Sequence, residues 1–407
     1  MQNAGRLMTL VAVALCCGII LTWSHPPSDF TQDYSAALAL LRGDSIYGSA
    51  VTEIAREVIN SPDSENFHPP LLSVLFVPIT VLDHKPAFLL WGGICILLFL
   101  AVLEMLFRSF AFPLKWRGIA RAVGLVWYPC LVSLGTGQAS ILIAFLVVLS
   151  YYLLEKGKSF GAGAAIGLAV MIKMYPGLLV LSFLFRRDWK ALAGLGAALA
   201  ACAVIILAIV GWSDASLYFL HVMGRDAREW GDFLSNLSLT GFIAPLFAKA
   251  RWVQPLLDYP PLAGLMVIAG SALILLLSLA RLRRAPAAAG QDFALLSVAM
   301  LLLSPIAWSH GFVVLVLPLF WIFARTFESR SFRLAIWASV ACLLISIPDI
   351  PLNRTTIGWF KPDDIPWYVF ILVKAPFFGL LLLWGLVTAN GVSVCQKQRN
   401  CSNLPGR

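Results

Sequence analysis

Charged side chains are scarce in this chain. Only 13% of its 407 residues are Asp, Glu, Lys or Arg, whereas 60% are hydrophobic. A soluble domain carries roughly 25% charged and about 45–50% apolar residues, so a soluble protein is excluded. The long apolar runs, such as 265–279, lack the polar alternation of a porin-type strand. Because hydrocarbon satisfies no backbone N–H or C=O group, these runs are predicted to be transmembrane helices.

Motifs for nucleotide, metal and covalent chemistry are also missing. The sequence contains no Walker loop, no dinucleotide glycine pattern, no His-Glu-x-x-His and no Gly-x-Ser-x-Gly. No Cys-x-x-Cys pair occurs, and six of the eight cysteines lie inside apolar runs, where they act as small hydrophobic residues. No metal or cofactor is predicted. A donor substrate is expected to arrive through the lipid or from outside the cell.

The net charge of +9 comes from basic residues placed mostly at the ends of apolar runs, as in 186–187, 281–284 and 397–399. This distribution follows the positive-inside rule for cytoplasmic loops and does not indicate a nucleic-acid surface. The first apolar run follows Arg6 and has no small-x-small site after it, which favours an uncleaved helix over a signal peptide. The two long polar connections, 25–67 and 212–255, are then predicted to be periplasmic.

Twelve apolar segments predict an all-α polytopic bundle over 1–407, a single integral membrane domain with about 10–13 membrane helices. The segments are 7–24, 68–84, 86–107, 118–134, 138–154, 159–185, 190–211, 256–280, 289–304, 310–326, 331–349 and 366–390. Counting them places the basic stretch 108–121 outside, against the charge rule. Because 68–84, 118–134 and 159–185 contain internal prolines, at least one of them is expected to be broken or re-entrant.

The loop 25–67 is predicted to be a structured lid, with short interfacial helices at 34–41 and 54–59. Asp29 follows the first membrane helix within a few residues, so its carboxylate is held at the outer membrane surface. A carboxylate in that place can take a proton from an acceptor hydroxyl. The alternative is that Asp29 or Asp33 caps the helix at 34–41.

Three basic or ionisable residues each have two interpretations. Lys173 lies in the middle of an apolar run, where it either snorkels from a short helix or binds an anion in a polar cavity. His310 is either an interface residue at a helix end or a partner for a phosphate. Arg225 belongs to 224–238, which mixes bases with acids; a solvated amphipathic helix explains this mixture, and phosphate binding is the alternative.

Short motifs in a fixed order carry a resemblance to a known family. They are Asp29-Phe-Thr-Gln-Asp-Tyr34, Ala36-Ala37, Leu41-Arg-Gly43 with Tyr47, Asn66-Phe-His-Pro-Pro70 with Pro78, Gly137-Gln138, Lys173-Met-Tyr-Pro176, Asn236-Leu-Ser238 and Ser304-Pro-Ile-Ala-Trp-Ser-His310. The ordered set resembles glycosyltransferase family 87, a family of GT-C-fold membrane enzymes. It is similar to the polyprenol-phosphate-mannose-dependent α-mannosyltransferases of bacterial glycolipid synthesis.

The resemblance implies a GT-C-type bundle in the bacterial inner membrane, with its active site facing the periplasm. It implies inverting transfer of a hexose, with mannose as the first expectation, from a polyprenyl phosphate donor to a lipid- or glycan-linked acceptor. Apart from donor, acceptor and membrane lipids, no partner is expected, and nucleic acid is not one.

The resemblance also implies roles for single residues. The family's Asp-aromatic-x-x-x-Tyr-like pattern selects Asp29 as the catalytic base, with Asp33 as the alternative. Cations that neutralise the leaving phosphate replace a metal. The expected donor-phosphate contacts are His310, Lys173 and Arg225. The further residues expected to line the site are Asp33, Tyr34, Gln138 and Asn236.

Two other functions remain open at this point. A multi-pass transporter or lipid flippase would use a midplane site near Lys173, although the repeated halves that are typical of transporters are not found in the sequence. A glycan ligase with a diphosphate-linked donor would keep the same fold. It would differ in the donor head group.

Overall fold

The computed structural model describes residues 2–22, 28–59, 65–284, 289–360 and 364–390. These residues form α-helices joined by short 3-10 or π-helical turns. Within the described ranges, extended chain pairs only at an isolated bridge between Val253 and Ile365. The predicted all-α class is confirmed. The basic tail at 397–399 lies outside the described residues.

In the described part of the chain, the first half contains α1 (Gln2–Thr22), α2 (Ser28–Arg42), α3 (Ser49–Ile59), α4 (Pro70–Phe76), α5 (His84–Ser109), α6 (Leu114–Leu125), α7 (Tyr128–Thr136), α8 (Ser140–Glu155), α9 (Ser159–Ile172), α10 (Val180–Arg186) and α11 (Trp189–Ile209). Short 3-10 segments at Val77–Val81 and Tyr175–Leu179 precede α5 and α10. Helices α2 and α3 are the two short helices predicted for the first loop.

The second half contains α12 (Trp212–Leu217), α13 (Met223–Trp230), α14 (Leu239–Phe247), α15 (Pro260–Arg284), α16 (Ala289–Leu303), α17 (Val316–Ser329), α18 (Phe332–Ile345), α19 (Asp349–Trp359), α20 (Trp367–Val373) and α21 (Ala375–Ala389). A π-helical turn, Tyr218–Val222, joins α12 to α13, and a 3-10 segment, Ser309–Leu315, precedes α17. Helix α16 is central, since every residue from 290 to 302 is buried, as expected of a helix that is apolar all round.

The chain is a multi-pass membrane protein by the length and composition of its helices. Among the described residues, five helices are long and apolar enough to cross a membrane, and three helix pairs bent by 51°, 56° and 59° raise the number to eight if each pair is one span. Five shorter apolar helices account for other predicted segments. By this measure the spans are fewer than the about 10–13 predicted from apolar length alone, because bends and breaks divide several segments.

The segment 68–84 turns back instead of crossing the bundle. At its start, His68 contacts Asp33 of α2. At its end, the Leu82 carbonyl accepts a hydrogen bond from Tyr34 of the same helix at 2.8 Å. Both ends of the segment therefore lie against α2. The interpretation of 68–84 as a span was wrong, and the expectation that a proline-marked segment is re-entrant is confirmed.

The basic stretch 108–121 lies beside the start of α1, the end that carries Arg6. Gly118 of α6 approaches Gly5 so closely that a Cβ on Gly118 would lie 2.5 Å from the Gly5 backbone. Thr9 Oγ1 also donates to the Gly118 carbonyl at 3.1 Å. Because 68–84 does not cross, the stretch falls at the Arg6 end of the bundle, as the charge rule requires. The count that placed it beside the first loop was wrong.

An acidic residue outside the basic stretch neutralises part of its positive charge. Glu104 of α5 pairs with Arg108 at 2.9 Å, with Arg121 at 3.0 Å and with Arg117 at 3.5 Å. A single acid four residues before the stretch therefore binds three of its four basic side chains. The ion pairs of Glu104 with Arg117 and Arg121 fasten α6 to the end of α5.

The predicted helix 159–185 is broken at Lys173. Helix α9 ends at Ile172, Lys173 is extended with φ −149° and ψ 139°, and a 3-10 segment containing Pro176 follows. Proline has no N–H, and its ring clashes with the preceding helical turn, so α9 cannot continue through it. The expected break is confirmed, and it directs the Lys173 side chain sideways into the bundle.

Candidate active site

Helix α2 presents two carboxylates on one face. Because α2 begins at Ser28, Asp29 and Asp33 lie inside the helix one turn apart, and neither is its N-cap. The capping interpretation was therefore wrong for both residues. Asp29 is only partly buried, whereas Asp33 has no exposed surface. Of the two acids, Asp29 is the one with an exposed part of its side chain.

The turn between α7 and α8 brings Gln138 against that face. Gly137 ends α7 with φ +71°, and a Cβ there would lie 2.5 Å from the Phe30 side chain. Only glycine fits a left-handed position this close to another helix. Trp91 Nε1 donates to the Gly137 carbonyl at 2.8 Å and fixes the turn. Gln138 Nε2 then donates to Asp29 Oδ1 at 2.9 Å.

Lys173 reaches the same turn from the break after α9. Its Nζ donates to Gln138 Oε1 at 2.8 Å. The carboxylates of Asp29, Asp33 and Asp226 act on it electrostatically. The Asp29 carboxylate and the Lys173 side chain are thus joined through one amide, and Lys173 ends in a polar cluster.

His68 completes this group, and the sequence reasoning did not select it as a site residue. Its Nδ1 lies 2.7 Å from Asp33 Oδ1, and its Nε2 lies 3.4 Å from Gln138 Nε2. The signal for it in the sequence is its place in the Asn66-Phe-His-Pro-Pro70 motif. We call Asp29, Asp33, His68, Gln138 and Lys173 the α2 cluster.

His310 lies next to the α2 cluster. Its Nδ1 is 2.9 Å from Ser140 Oγ, two residues after Gln138, and the side chain is largely buried. Lys173 and His68 are the titratable groups that act on it. The 3-10 segment that begins at Ser309 directly follows the loop after central helix α16 and so carries the imidazole to this position.

Two acids of the site outside the membrane helices have raised pKa values. Burial raises the pKa of Asp33, and the opposing influence of His68 is smaller. Burial also raises the pKa of Asp226, in α13, to about 6, although His68 and Lys173 favour its charged form. Asp226 was not selected from the sequence because it looked like one charge of a solvated helix. Its partners come from distant parts of the chain.

Three of the predicted site residues have other contacts. Arg225 pairs with Glu65 at 2.6 Å and approaches Glu229 at 3.9 Å, and its guanidinium lies 5.0 Å from the centre of the Phe67 ring. It lines a polar cavity of about 340 Å³ with residues of α3. The structure does not bring Arg225 into contact with the α2 cluster, and its phosphate-binding role stays a prediction.

Tyr34 and Asn236 are held by neighbouring backbone. Tyr34 packs on Phe30 with ring centres 5.8 Å apart while its hydroxyl bonds to Leu82. The Asn236 amide donates to the carbonyls of Gly231 and Pro305 and accepts from the N–H groups of Ser238 and Ala307. All of these Asn236 contacts fasten two loops together. A role in lining the site stays a prediction for both residues.

Metal-ligating side chains are not grouped in the described residues: no three His, Cys, Asp or Glu residues come together in a suitable way. The α2 cluster and its surroundings do contain basic side chains, Lys173 and the neighbouring His310. A lysine ammonium and an imidazole N–H both bind phosphate oxygens.

The chain matches the model of a known family, described as glycosyltransferase family 87, over residues 66–305. The match covers more than half of the chain. The protein belongs to glycosyltransferase family 87. The resemblance inferred from the ordered motifs is confirmed. The matched range contains His68, Gln138 and Lys173, whereas Asp29 and His310 lie on either side of it.

Two bacterial proteins are similar to this family member over most of its length. The polyprenol-phosphate-mannose-dependent alpha-(1-2)-phosphatidylinositol mannoside mannosyltransferase of Mycobacterium tuberculosis is 26% identical, over 87% of this chain and 85% of that protein. The corresponding phosphatidylinositol pentamannoside mannosyltransferase of Mycolicibacterium smegmatis is 24% identical, over 74% of this chain and 71% of that protein. Among solved structures, ArnT from Cupriavidus metallidurans bound to undecaprenyl phosphate overlaps with a TM-score of 0.37 at 16% identity, over 94% of this chain and 76% of that chain.

Proposed function

We propose that this family 87 member transfers a hexose, mannose first among the candidates, from a polyprenyl phosphate donor to a lipid- or glycan-linked acceptor. We place the reaction on the periplasmic face of a bacterial inner membrane. Family membership and the donor named for both mycobacterial relatives support the donor class. The observation that carries the proposal is the array in which one amide, Gln138, joins the Asp29 carboxylate to the Lys173 ammonium.

The array contains the parts that glycosyl transfer needs. Asp29 takes the proton of the acceptor hydroxyl while the acceptor oxygen bonds to the anomeric carbon. The bond from that carbon to the phosphate oxygen breaks, and the polyprenyl phosphate leaves with the bonding electrons. Lys173 and His310 stabilise the charge that develops on the phosphate. Because attack comes from the side opposite the leaving group, the anomeric configuration inverts.

The arrangement also separates the two charges that must not combine. A direct ion pair between Asp29 and Lys173 would neutralise both groups and occupy the space of the substrates. The Gln138 amide keeps them apart, since it donates to the acid and accepts from the cation. Base and phosphate partner are held in fixed positions before either substrate binds, which is the condition for efficient orientation.

The test is sugar transfer by detergent-purified protein with a short-chain polyprenyl phosphate mannose and a crude bacterial glycolipid acceptor fraction. Transfer is expected without a sealed compartment, and the new glycosidic bond should have the configuration opposite to that of the donor. A polyprenyl diphosphate sugar should not serve as donor. Movement of lipid between leaflets in vesicles, without any transfer, would support a flippase and contradict the proposal.

A further inference from the structure

His68 is fixed at its backbone as well as at its ring. The His68 N–H donates to Asn66 Oδ1 at 2.9 Å, and the His68 carbonyl accepts from the Tyr47 hydroxyl at 2.8 Å. Two prolines follow it, which restricts the chain further. These backbone contacts add to the two contacts of the ring, with Asp33 and with Gln138. The ring therefore stands in one orientation between α2 and the α7–α8 turn.

The position of the His68 proton follows from its neighbours. Lys173 has only donors, so the atom of Gln138 that faces it is the amide oxygen, and the amide nitrogen faces Asp29 and His68. His68 Nε2 must then accept, and the ring proton sits on Nδ1, pointing at Asp33. The Gln32 amide supports a proton on Nδ1. In the orientation in which both ends of this amide are hydrogen-bonded, its oxygen accepts from His68 Nδ1 at 3.2 Å.

We propose that Asp33 and His68 form a positioning dyad for the reaction. Asp33 holds the His68 proton on Nδ1, and the free Nε2 of His68 orients the Gln138 amide, which in turn holds Asp29 and Lys173. The inference rests on the proposed function and assigns the two acids of α2 different tasks. Asp29 meets the acceptor, and Asp33 acts only through His68.

The carboxylate of Asp33 is held in an unfavourable environment. Its Oδ2 is buried and has no hydrogen-bond partner among the described residues, and Asp29 lies one turn away on the same face. A buried carboxylate with an unbonded oxygen destabilises a fold. Burial raises its pKa, and the titratable groups that face it are His68, Lys173 and Asp29. Asp349 also has a buried oxygen without a hydrogen-bond partner, so the feature that distinguishes Asp33 is its direct contact with the His68 ring.

The test compares kcat and donor KM in His68→Leu, His68→Gln and Asp33→Asn in the full-length protein. His68→Leu removes the acceptor for Gln138 and should lower kcat by about ten- to hundredfold with little change in KM, because misplacement of a reacting group by about 1 Å has effects of this size. His68→Gln keeps a donor toward Asp33 and an acceptor toward Gln138, so it should recover most of the rate. Wild-type kcat in His68→Leu, or equal losses in the leucine and glutamine variants, overturns the proposal.

Asp33→Asn decides between a positioning and a structural role. Asparagine can donate to or accept from Nδ1, so the proton of His68 is no longer fixed and kcat should fall at least about fivefold, within the range that misorientation produces. The melting temperature should stay the same or rise, since a buried charge is removed. A lower melting temperature with unchanged kcat overturns the dyad. The matched controls are Asp44→Asn and His221→Gln, on exposed side chains elsewhere, which should leave both quantities unchanged.

Histidine ¹⁵N spectra give a readout that does not depend on transfer. His68, identified by its loss in His68→Gln, should carry its proton on Nδ1 in the wild type and lose that preference in Asp33→Asn. A wild-type proton on Nε2 contradicts the dyad whether or not sugar is transferred. If the proton is on Nδ1 but the wild-type protein transfers no sugar, the hydrogen-bond array stands and it is the proposed function that fails.

Discussion

Two polar clusters inside this protein each combine a lysine, an aspartate and a side-chain amide, but they differ in their contacts and in their exposure. In the α2 cluster, Lys173 and Asp29 meet through the side chain of Gln138, and both are only partly buried. We call Tyr128, Asn236, Asp349 and Lys374 the α19 cluster. There Lys374 donates to the backbone carbonyl of Asn236, and Asp349 accepts from the Tyr128 hydroxyl at 3.0 Å.

The difference in contacts and exposure indicates a structural role for the α19 cluster and a reactive role for the α2 cluster. Lys374 and Asp349 have no exposed surface. Lys374 and the Asn236 amide donate to backbone carbonyls, and the Tyr128 hydroxyl accepts from the N–H of Ile350. Such a cluster fastens bent helices together. The α2 cluster keeps a lysine and a carboxylate at an accessible edge. The difference that matters is access, since Asp29 and Lys173 are partly exposed whereas Asp349 and Lys374 are fully buried.

Removing the cation of the α19 cluster should produce the largest effect of the basic-residue variants compared below. The effect should be on the unfolding free energy and not on the transfer rate. Lys374→Met removes the donor to the Asn236 carbonyl and the positive charge near Asp349, at an expected loss of about 3 kcal/mol of unfolding free energy, the upper end for a hydrogen bond with a charged group. Thermal unfolding in detergent measures it, with Lys249→Met on an exposed loop side chain as the control. Specific activity per folded molecule should be unchanged. A stable but inactive variant would remove the distinction between the clusters.

Removing the cation of the α2 cluster should affect catalysis more than stability. Lys173→Met should lower the transfer rate about a hundredfold, or about 2.7 kcal/mol, as for the loss of one group that stabilises developing charge. Steady-state kinetics with the polyprenyl phosphate donor measures it. The melting temperature should move less than in Lys374→Met. A normal rate in a folded Lys173→Met protein would show that Lys173 is only a snorkelling residue.

His310→Ala tests the edge of the α2 cluster. The imidazole neighbours the cluster through Ser140, and the loss of one hydrogen bond to a charged phosphate should weaken donor binding about tenfold. Equilibrium binding of a labelled polyprenyl phosphate measures the change, and His221→Ala is the matched control. An unchanged donor affinity would count against a phosphate contact by His310.

Arg225→Ala should give the smallest effect. Its guanidinium is half-exposed and already paired with Glu65 and Glu229, and such pairs contribute about 0–1 kcal/mol. The transfer rate should therefore change less than about threefold, measured beside Arg228→Ala as the neighbouring control. A loss near a hundredfold would restore Arg225 as a donor-phosphate contact and extend the reactive site into the cavity beside α3.

Much of the fold could be predicted from the sequence because lipid imposes long apolar helices. The error was to count one apolar segment as a membrane-spanning helix. The segment 68–84 satisfies an apolar-length criterion but turns back on α2, as the contacts of His68 and Tyr34 show. Apolar content cannot distinguish a crossing helix from one that packs against a neighbouring loop helix. The misplaced basic stretch at 108–121 was the signal of that error.

The candidate site was predictable only in part. Asp29, Gln138 and Lys173 come from positions more than thirty residues apart, and the ordered family motifs, rather than local patterns, selected them. His68 and Asp226 were missed because their roles depend on partners across the bundle. Asn236 had the opposite problem: its motif is present, yet its amide is occupied by four backbone groups. Sequence order shows which residues matter together, and only the packing shows which side chains remain available.

The most direct test is donor binding and sugar transfer measured on the same sample of Asp29→Asn. Asparagine keeps the shape and the hydrogen-bonding oxygen toward Gln138 but cannot take a proton, so the donor should bind within about threefold of wild type while transfer falls by about a thousandfold, within the range of general-base effects. Asp44→Asn, in the same loop, should behave as wild type. Full transfer by Asp29→Asn would contradict the assignment of Asp29 as the base and with it the reactive role of the α2 cluster.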